Sequence, residues 1–166
     1  MEGMPIDVVQ MADDVAGQNN MLISPMSYRK HLKPLHKEMF DYIHSKTDAK
    51  IFFHSCGSIR KIIPDLIEIG VDILNPVQVN AADMDSAELK QEYGKDIVFW
   101  GGGVDTQSAF DDSHTPEEVR ADVRKRLEDF MPGGGFVFNT VHNIQGNVPP
   151  ENIMAMWETL QEYGKY

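Results

Sequence analysis

Cysteine is the scarcest resource in this chain: Cys56 is the only one among 166 residues. One thiol cannot close a disulfide within the chain, so stability must come from a core, and a reducing compartment suits it. Basic residues are also in deficit, with 15 Lys and Arg against 26 Asp and Glu, for a net charge of -11. The acidic residues are scattered rather than run together, which argues against nucleic acid or an anionic membrane as partner. Long apolar runs are missing too. Nothing approaches the roughly 20 residues that cross a bilayer, and Met1 to Gln10 lacks the basic-then-apolar plan of a secretory leader. The expected location is the cytoplasm. What remains is 42% hydrophobic and 25% charged, enough for one domain with a real core.

Strand and helix periods alternate along that domain. Ile6 to Met11 is a short apolar run closed by Ala-Asp-Asp. Ser24-Pro25 reads as an N-cap with proline in the first turn, opening a helix over Met26 to Ser45. Lys50 to His54 is β-rich, and Ile59, Ile62, Ile63, Leu66, Ile67 and Ile69 then recur at helical spacing until Gly70. The next strands are "VDILNP", followed by a helix over Met84 to Tyr93, and "DIVFWGGG", followed by "TPEEVRADVRKRLEDF". In that last segment Thr115, Pro116 and Glu118 spell a capping box. "GGGFVFNT" is a fifth strand and "PPENIMAMWETLQEY" a fifth helix, with Ile153, Met156, Trp157 and Leu160 predicted on its apolar stripe. The glycines Gly133 to Gly135 precede a strand instead of opening a helix, so they read as a flexible turn and not a phosphate loop.

Five βα units imply a parallel sheet covered by helices. Five strands would complete an open doubly wound sheet, whereas a (β/α)8 barrel needs eight units and typically about 250 residues. Both architectures keep their sites at the C-terminal ends of the strands, and here every strand delivers polar groups to that rim: Asp13-Asp14, His54 with Cys56, Asn75-Pro76, Gly101 to Asp105, and Asn139 to His142.

Along "IFFHSCG" an extended chain sends Phe52, His54 and Cys56 to one face and Ile51, Phe53 and Ser55 to the other. Residues two apart lie about 6.5 to 7 Å from each other, and a metal with bonds of roughly 2.0 to 2.3 Å fits between side chains that lean together. His-x-Cys is therefore half a zinc site. Two other readings stand beside it: a small buried thiol with its histidine bonded to a carbonyl, and a Cys-His dyad in which the imidazole activates the thiol. A third ligand decides among them, and His142 beyond the fifth strand is the candidate. His31, His36 and His44 on the first helix and His114 in a loop are expected to be solvated. Asn75 and Gln78 follow the third strand, where they are candidates to bond the polar edge of a substrate.

These residues resemble the uroporphyrinogen decarboxylase superfamily, which includes the zinc-dependent, corrinoid-linked methyltransferases. The matching stretches are "LISPMSYRKHLKPLHKEMFDYIHSKTDAKIFFHSCGSIRKIIPDLIEIGVDILNPVQ", "FWGGGVDTQ" and "GGGFVFNTVHNIQGNVPPENIMAMWE". The resemblance implies about the last five βα units of a family (β/α)8 barrel, the portion that normally precedes them being absent. Residues 1–166 are then a single truncated domain, completed by a partner chain, by a second copy, or not at all.

The resemblance also implies roles. In the methyltransferase branch a His-x-Cys at this strand end and a cysteine after the last strand bind zinc, which takes a substrate thiol as thiolate. His54 and Cys56 match, while the third position carries His142, a residue similar to the last-strand turn of the decarboxylase branch. Imidazole is an acceptable zinc ligand. Asp105 matches a family loop and Asp14, with Asp13, an acidic turn, so both are expected to serve catalysis, and Asp105 also to bind substrate. The function implied first is a zinc methyltransferase moving a methyl group between a corrinoid protein and a thiol or methylated substrate. The alternatives are decarboxylation of uroporphyrinogen without a metal, and a non-catalytic or split partial barrel.

Overall fold

The computed structural model describes residues 5–166. Its five strands are β1 (Val8–Ala12), β2 (Lys50–His54), β3 (Ile73–Asn75), β4 (Val98–Trp100) and β5 (Phe136–Val137). Each β-rich stretch of the sequence thus contributes a strand, although β5 is only two residues long. Three consecutive glycines with positive φ, Gly133 to Gly135, delay its start. All pairings are parallel, and the sheet order β1-β2-β3-β4-β5 follows the chain. A doubly wound sheet reverses its order at a switch point, and this sheet never does. The architecture is α/β, five βα units wound one way, as in a segment of a (β/α)8 barrel.

Alternation within the strands then separates two faces. Phe53 meets Phe40 at 5.9 Å between ring centroids, and Phe99 meets Phe130 at 5.3 Å, so these parities face the helices. Phe52 and Trp100 have the opposite parity and touch each other across the other, concave face at 5.4 Å. The helical layer comprises α1 (Pro25–Ser27), α2 (Lys33–His44), α3 (Ile63–Glu68), α4 (Ser86–Tyr93), α5 (Pro116–Phe130) and α6 (Pro150–Tyr163). Phe40, Phe53, Phe99 and Phe130 are fully buried, each contributing about 1.5–3 kcal/mol to folding.

The predicted capping box at Thr115 and Glu118 is present. Two prolines modify the expected helices. The segment predicted as one helix over Met26 to Ser45 holds a π-helical turn, Tyr28–Leu32, because Pro34 has no N–H to give the carbonyl one turn back. Ahead of Pro64 the chain forms a 3-10 turn, Arg60–Ile62, before α3 begins. The stripe predicted on α6 needs one correction. Trp157 is 52% exposed, and the fully packed positions are Asn152, Ala155 and Thr159. Asn152 donates its amide to the carbonyls of Asp111 and His114, both at 3.0 Å, so a polar anchor as well as apolar packing sets the rotation of α6. Among the described residues, no helix is long and apolar enough to cross a membrane.

Candidate metal centre

His54 is the last residue of β2 and Cys56 lies two residues beyond it, on the concave side of the sheet. Their facing atoms, Nε2 and Sγ, are 3.6 Å apart. His142, on the exposed loop after β5, completes a group whose ligand atoms all lie within 4.8 Å of one another. Bonds of roughly 2.0–2.3 Å around a tetrahedral zinc put neighbouring donors about 3.3–3.8 Å apart, so this set of two imidazole nitrogens and one sulfur matches the ion after small side-chain adjustments. Three protein ligands leave the fourth position for a thiol or a water.

The protein also selects the tautomer of His54. Asn75 donates its Nδ2 to the Trp100 carbonyl at 2.7 Å, which turns its Oδ1 toward His54. That oxygen accepts the Nδ1 proton of His54 at 2.7 Å, leaving the Nε2 lone pair aimed at Cys56 and His142. Asn75 therefore orients the imidazole with both ends of its amide. The thiol is not primed to act alone. Burial, and then the Asp14 carboxylate beside it, push the Cys56 thiol up to about 11, so a metal-free Cys-His dyad holds almost no thiolate at neutral pH.

The loop carrying Cys56 is laced to its neighbours through three successive backbone N–H groups. Cys56 donates to Asp14 Oδ1 at 2.8 Å, Gly57 to Gln78 Oε1 at 2.8 Å, and Ser58 to the Gly17 carbonyl at 2.9 Å. Gly57 fits only as glycine, with φ at 87° and the Gly17 carbonyl oxygen 2.6 Å from where a Cβ would sit. Asp14 thus stands against the Cys56 loop. Asp105, 2% exposed, accepts from Asn80 Nδ2 at 3.0 Å and from the Gln107 N–H at 2.9 Å. The polar ends of Gln78 and Asp105, both read as substrate-binding from the sequence, are engaged by adjacent loops.

Among the histidines expected in solvent, His31 and His44 are exposed and His114 is half-buried against Asp111. His36 departs from that expectation, being only 6% exposed. Its Nε2 lies 3.1 Å from Asp13 Oδ2 and its Nδ1 lies 3.2 Å from the Tyr28 hydroxyl, tying the end of β1 to the helix behind it. One turn from Phe40, His36 belongs to the buried stripe of α2, a spacing that marks it as inward-facing. Gln18 and Asn80, which bridge the loops after β1 and β3, carry no sequence pattern that reveals them.

A family model described as uroporphyrinogen decarboxylase (URO-D) matches residues 6–163, nearly the whole chain. The chain belongs to the uroporphyrinogen decarboxylase family. Family relatives carrying that name include a protein of Methylococcus capsulatus, 42% identical over 79 residues, or 48% of this chain and 21% of the relative. Another, from Thioalkalivibrio sulfidiphilus, is 44% identical over 48 residues, covering 29% of this chain and 14% of the relative. A methyltransferase from Methanosarcina mazei superposes with a TM-score of 0.71 at 23% identity, covering 96% of this chain and 43% of that one. This chain therefore spans less than half of the solved structure it resembles, and the matched stretches are about a fifth or less of those curated relatives. At 23% identity the superposition speaks for the fold alone.

Proposed function

We propose that this family member is a zinc-dependent methyltransferase of the corrinoid-linked kind. The observation that supports it is the convergence of His54, Cys56 and His142, from two distant parts of the chain, to within 4.8 Å. Zinc held there supplies Lewis acidity, stabilising a substrate thiol as its thiolate near neutral pH. The chain's own residues prepare for that: Asn75 holds His54 in the tautomer that offers Nε2, Asp14 fixes the Cys56 backbone, and Phe52 and Trp100 line the adjoining concave face. The activated sulfur and a methyl-corrinoid on a separate protein are the exchanging partners in this reading, with methylated small molecules as the other class of donor.

Metal content tests it. Protein purified with zinc available should carry close to one equivalent, and Cys56→Ala less than about a tenth of that. Wild-type protein holding under about a tenth of an equivalent would refute the metal centre.

A second reading, uroporphyrinogen decarboxylation without a metal, is favoured by the names of the sequence relatives and by histidine in place of cysteine at the third ligand position. Formation of coproporphyrinogen from uroporphyrinogen is its assay. A third is favoured by the sheet itself. Among the described residues β1 and β5 each pair on one side only, and such edges invite a further chain, a second copy or a separate barrel half. A monodisperse monomer at micromolar concentration counts against that completion.

A further inference from the structure

We infer that Gln78 is a positioning residue that locks the His54–Cys56 loop in its chelating geometry before a metal arrives, acting through a relay of side-chain amides across the rim. The inference rests on the metal-site reading above. Gln78 is 8% exposed, and its two amide ends face different loops. Oε1 accepts the Gly57 N–H, immediately after Cys56, and Nε2 donates to Gln18 Oε1 in the loop after β1. Gln18 in turn donates to the Asn80 carbonyl at 2.7 Å, and Asn80 Nδ2 donates to Asp105 Oδ1 at 3.0 Å and Gln107 Oε1 at 3.1 Å. The Asp105 N–H ends the relay on Asp122 Oδ2 of α5 at 2.8 Å.

Four loops, those after β1, β2, β3 and β4, are thereby cross-linked by neutral or anionic groups with complementary donors and acceptors. A single amide serves where the chain must present an acceptor to one neighbour and a donor to another, which neither a carboxylate nor a hydrocarbon of the same length does. The Cys56 backbone N–H is bonded to a loop on one side and the Gly57 N–H to a loop on the other, so the backbone that carries the sulfur cannot move away from His54 without breaking one of them. A buried acceptor lost from under Gly57 leaves its N–H unpaired, and the loop must open to water to satisfy it. Outer-shell partners of this kind characteristically change metal affinity about 10- to 100-fold.

The test compares Gln78→Met, which keeps the length but loses both bonds, with Gln78→Glu, which keeps the acceptor for Gly57. Gln91→Met on the exposed face of α4 is the control. Hydrogen exchange of a peptide spanning residues 54–58 is read in metal-free protein, and zinc affinity by competition with a chromophoric chelator. Expected are exchange at least about tenfold faster and zinc binding at least about tenfold weaker in Gln78→Met, with only part of each loss recovered in Gln78→Glu, which keeps the Gly57 acceptor but no longer donates to Gln18. The cobalt-substituted spectrum should shift in Gln78→Met alone, a change that general destabilisation does not produce. Exchange in Gln78→Met within about twofold of the parent, or unchanged zinc affinity despite faster exchange, overturns the inference. If the parent takes up no zinc while Gln78→Met still exchanges faster, the metal reading falls and the loop clamp stands.

Discussion

The two halves of the ligand set are held in different ways. His54 ends β2 and Cys56 lies on the loop that follows, where the N–H groups of Cys56, Gly57 and Ser58 are bonded to neighbouring loops, and the His54 ring is fixed by Asn75. His142 is exposed, and the polar contact nearest it is local, the Thr140 hydroxyl donating to the His142 carbonyl. Beyond that, the Val141 N–H reaches the Val104 carbonyl at 3.1 Å and anchors the loop one residue away. The difference teaches that one half of the site is built into the scaffold, whereas the other is brought in by an exposed side chain on an anchored backbone. In the proposed zinc centre, a rigid pair plus an adaptable third ligand would suit a site that keeps its fourth coordination position for substrate.

Three variants probe that contrast, in falling order of effect. His142→Ala should weaken zinc by more than about a hundredfold, beyond the usual outer-shell range, while the thermal midpoint of the metal-free protein stays put because the side chain is exposed. A drop in that midpoint would show His142 to be part of the scaffold. Asn75→Ala frees the His54 ring and should cost about 10- to 100-fold in zinc affinity, measured by chelator competition. An affinity equal to the parent's would mean that the ring needs no orientation. Asp14→Asn acts on the thiol. Removing a negative charge lowers the Cys56 pKa from its value of about 11, so more thiolate exists at mildly alkaline pH and iodoacetamide alkylation of metal-free protein speeds up. The gain should stay under about tenfold, since burial is the larger cause and persists. Slower alkylation would reverse the sign and remove Asp14 from the account.

Much of the fold was legible residue by residue. Periodicity placed all five strands, the capping box at Thr115 and the helix stop at Gly70, because each of these is a local event set by a few neighbouring residues. Pro34 and Pro64 interrupt what periodicity alone reads as plain helix, and a π turn and a 3-10 turn stand ahead of them. Trp157 and His36 depart from the sequence expectation for one shared reason: burial on a helix depends on which neighbour it meets, and apolar character alone does not fix its rotation. Asn152 turned α6 by satisfying loop carbonyls, and His36 was drawn inward by Asp13 and Tyr28.

By itself the sequence determined the alternation of strand and helix, the sharing of one face by His54 and Cys56, and the crowding of polar residues at strand ends. These follow from dihedral preference and from the two-residue period of a strand. Only the tertiary structure decided that the strands run in unbroken order, that His142 reaches a pair from a far earlier part of the chain, that Asn75 directs its hydrogen bonds to the ends of the two neighbouring strands, and that Gln78 and Asp105 direct theirs to neighbouring loops. Those outcomes depend on which loops lie side by side at the rim, and strand register across the sheet, not local propensity, sets that adjacency.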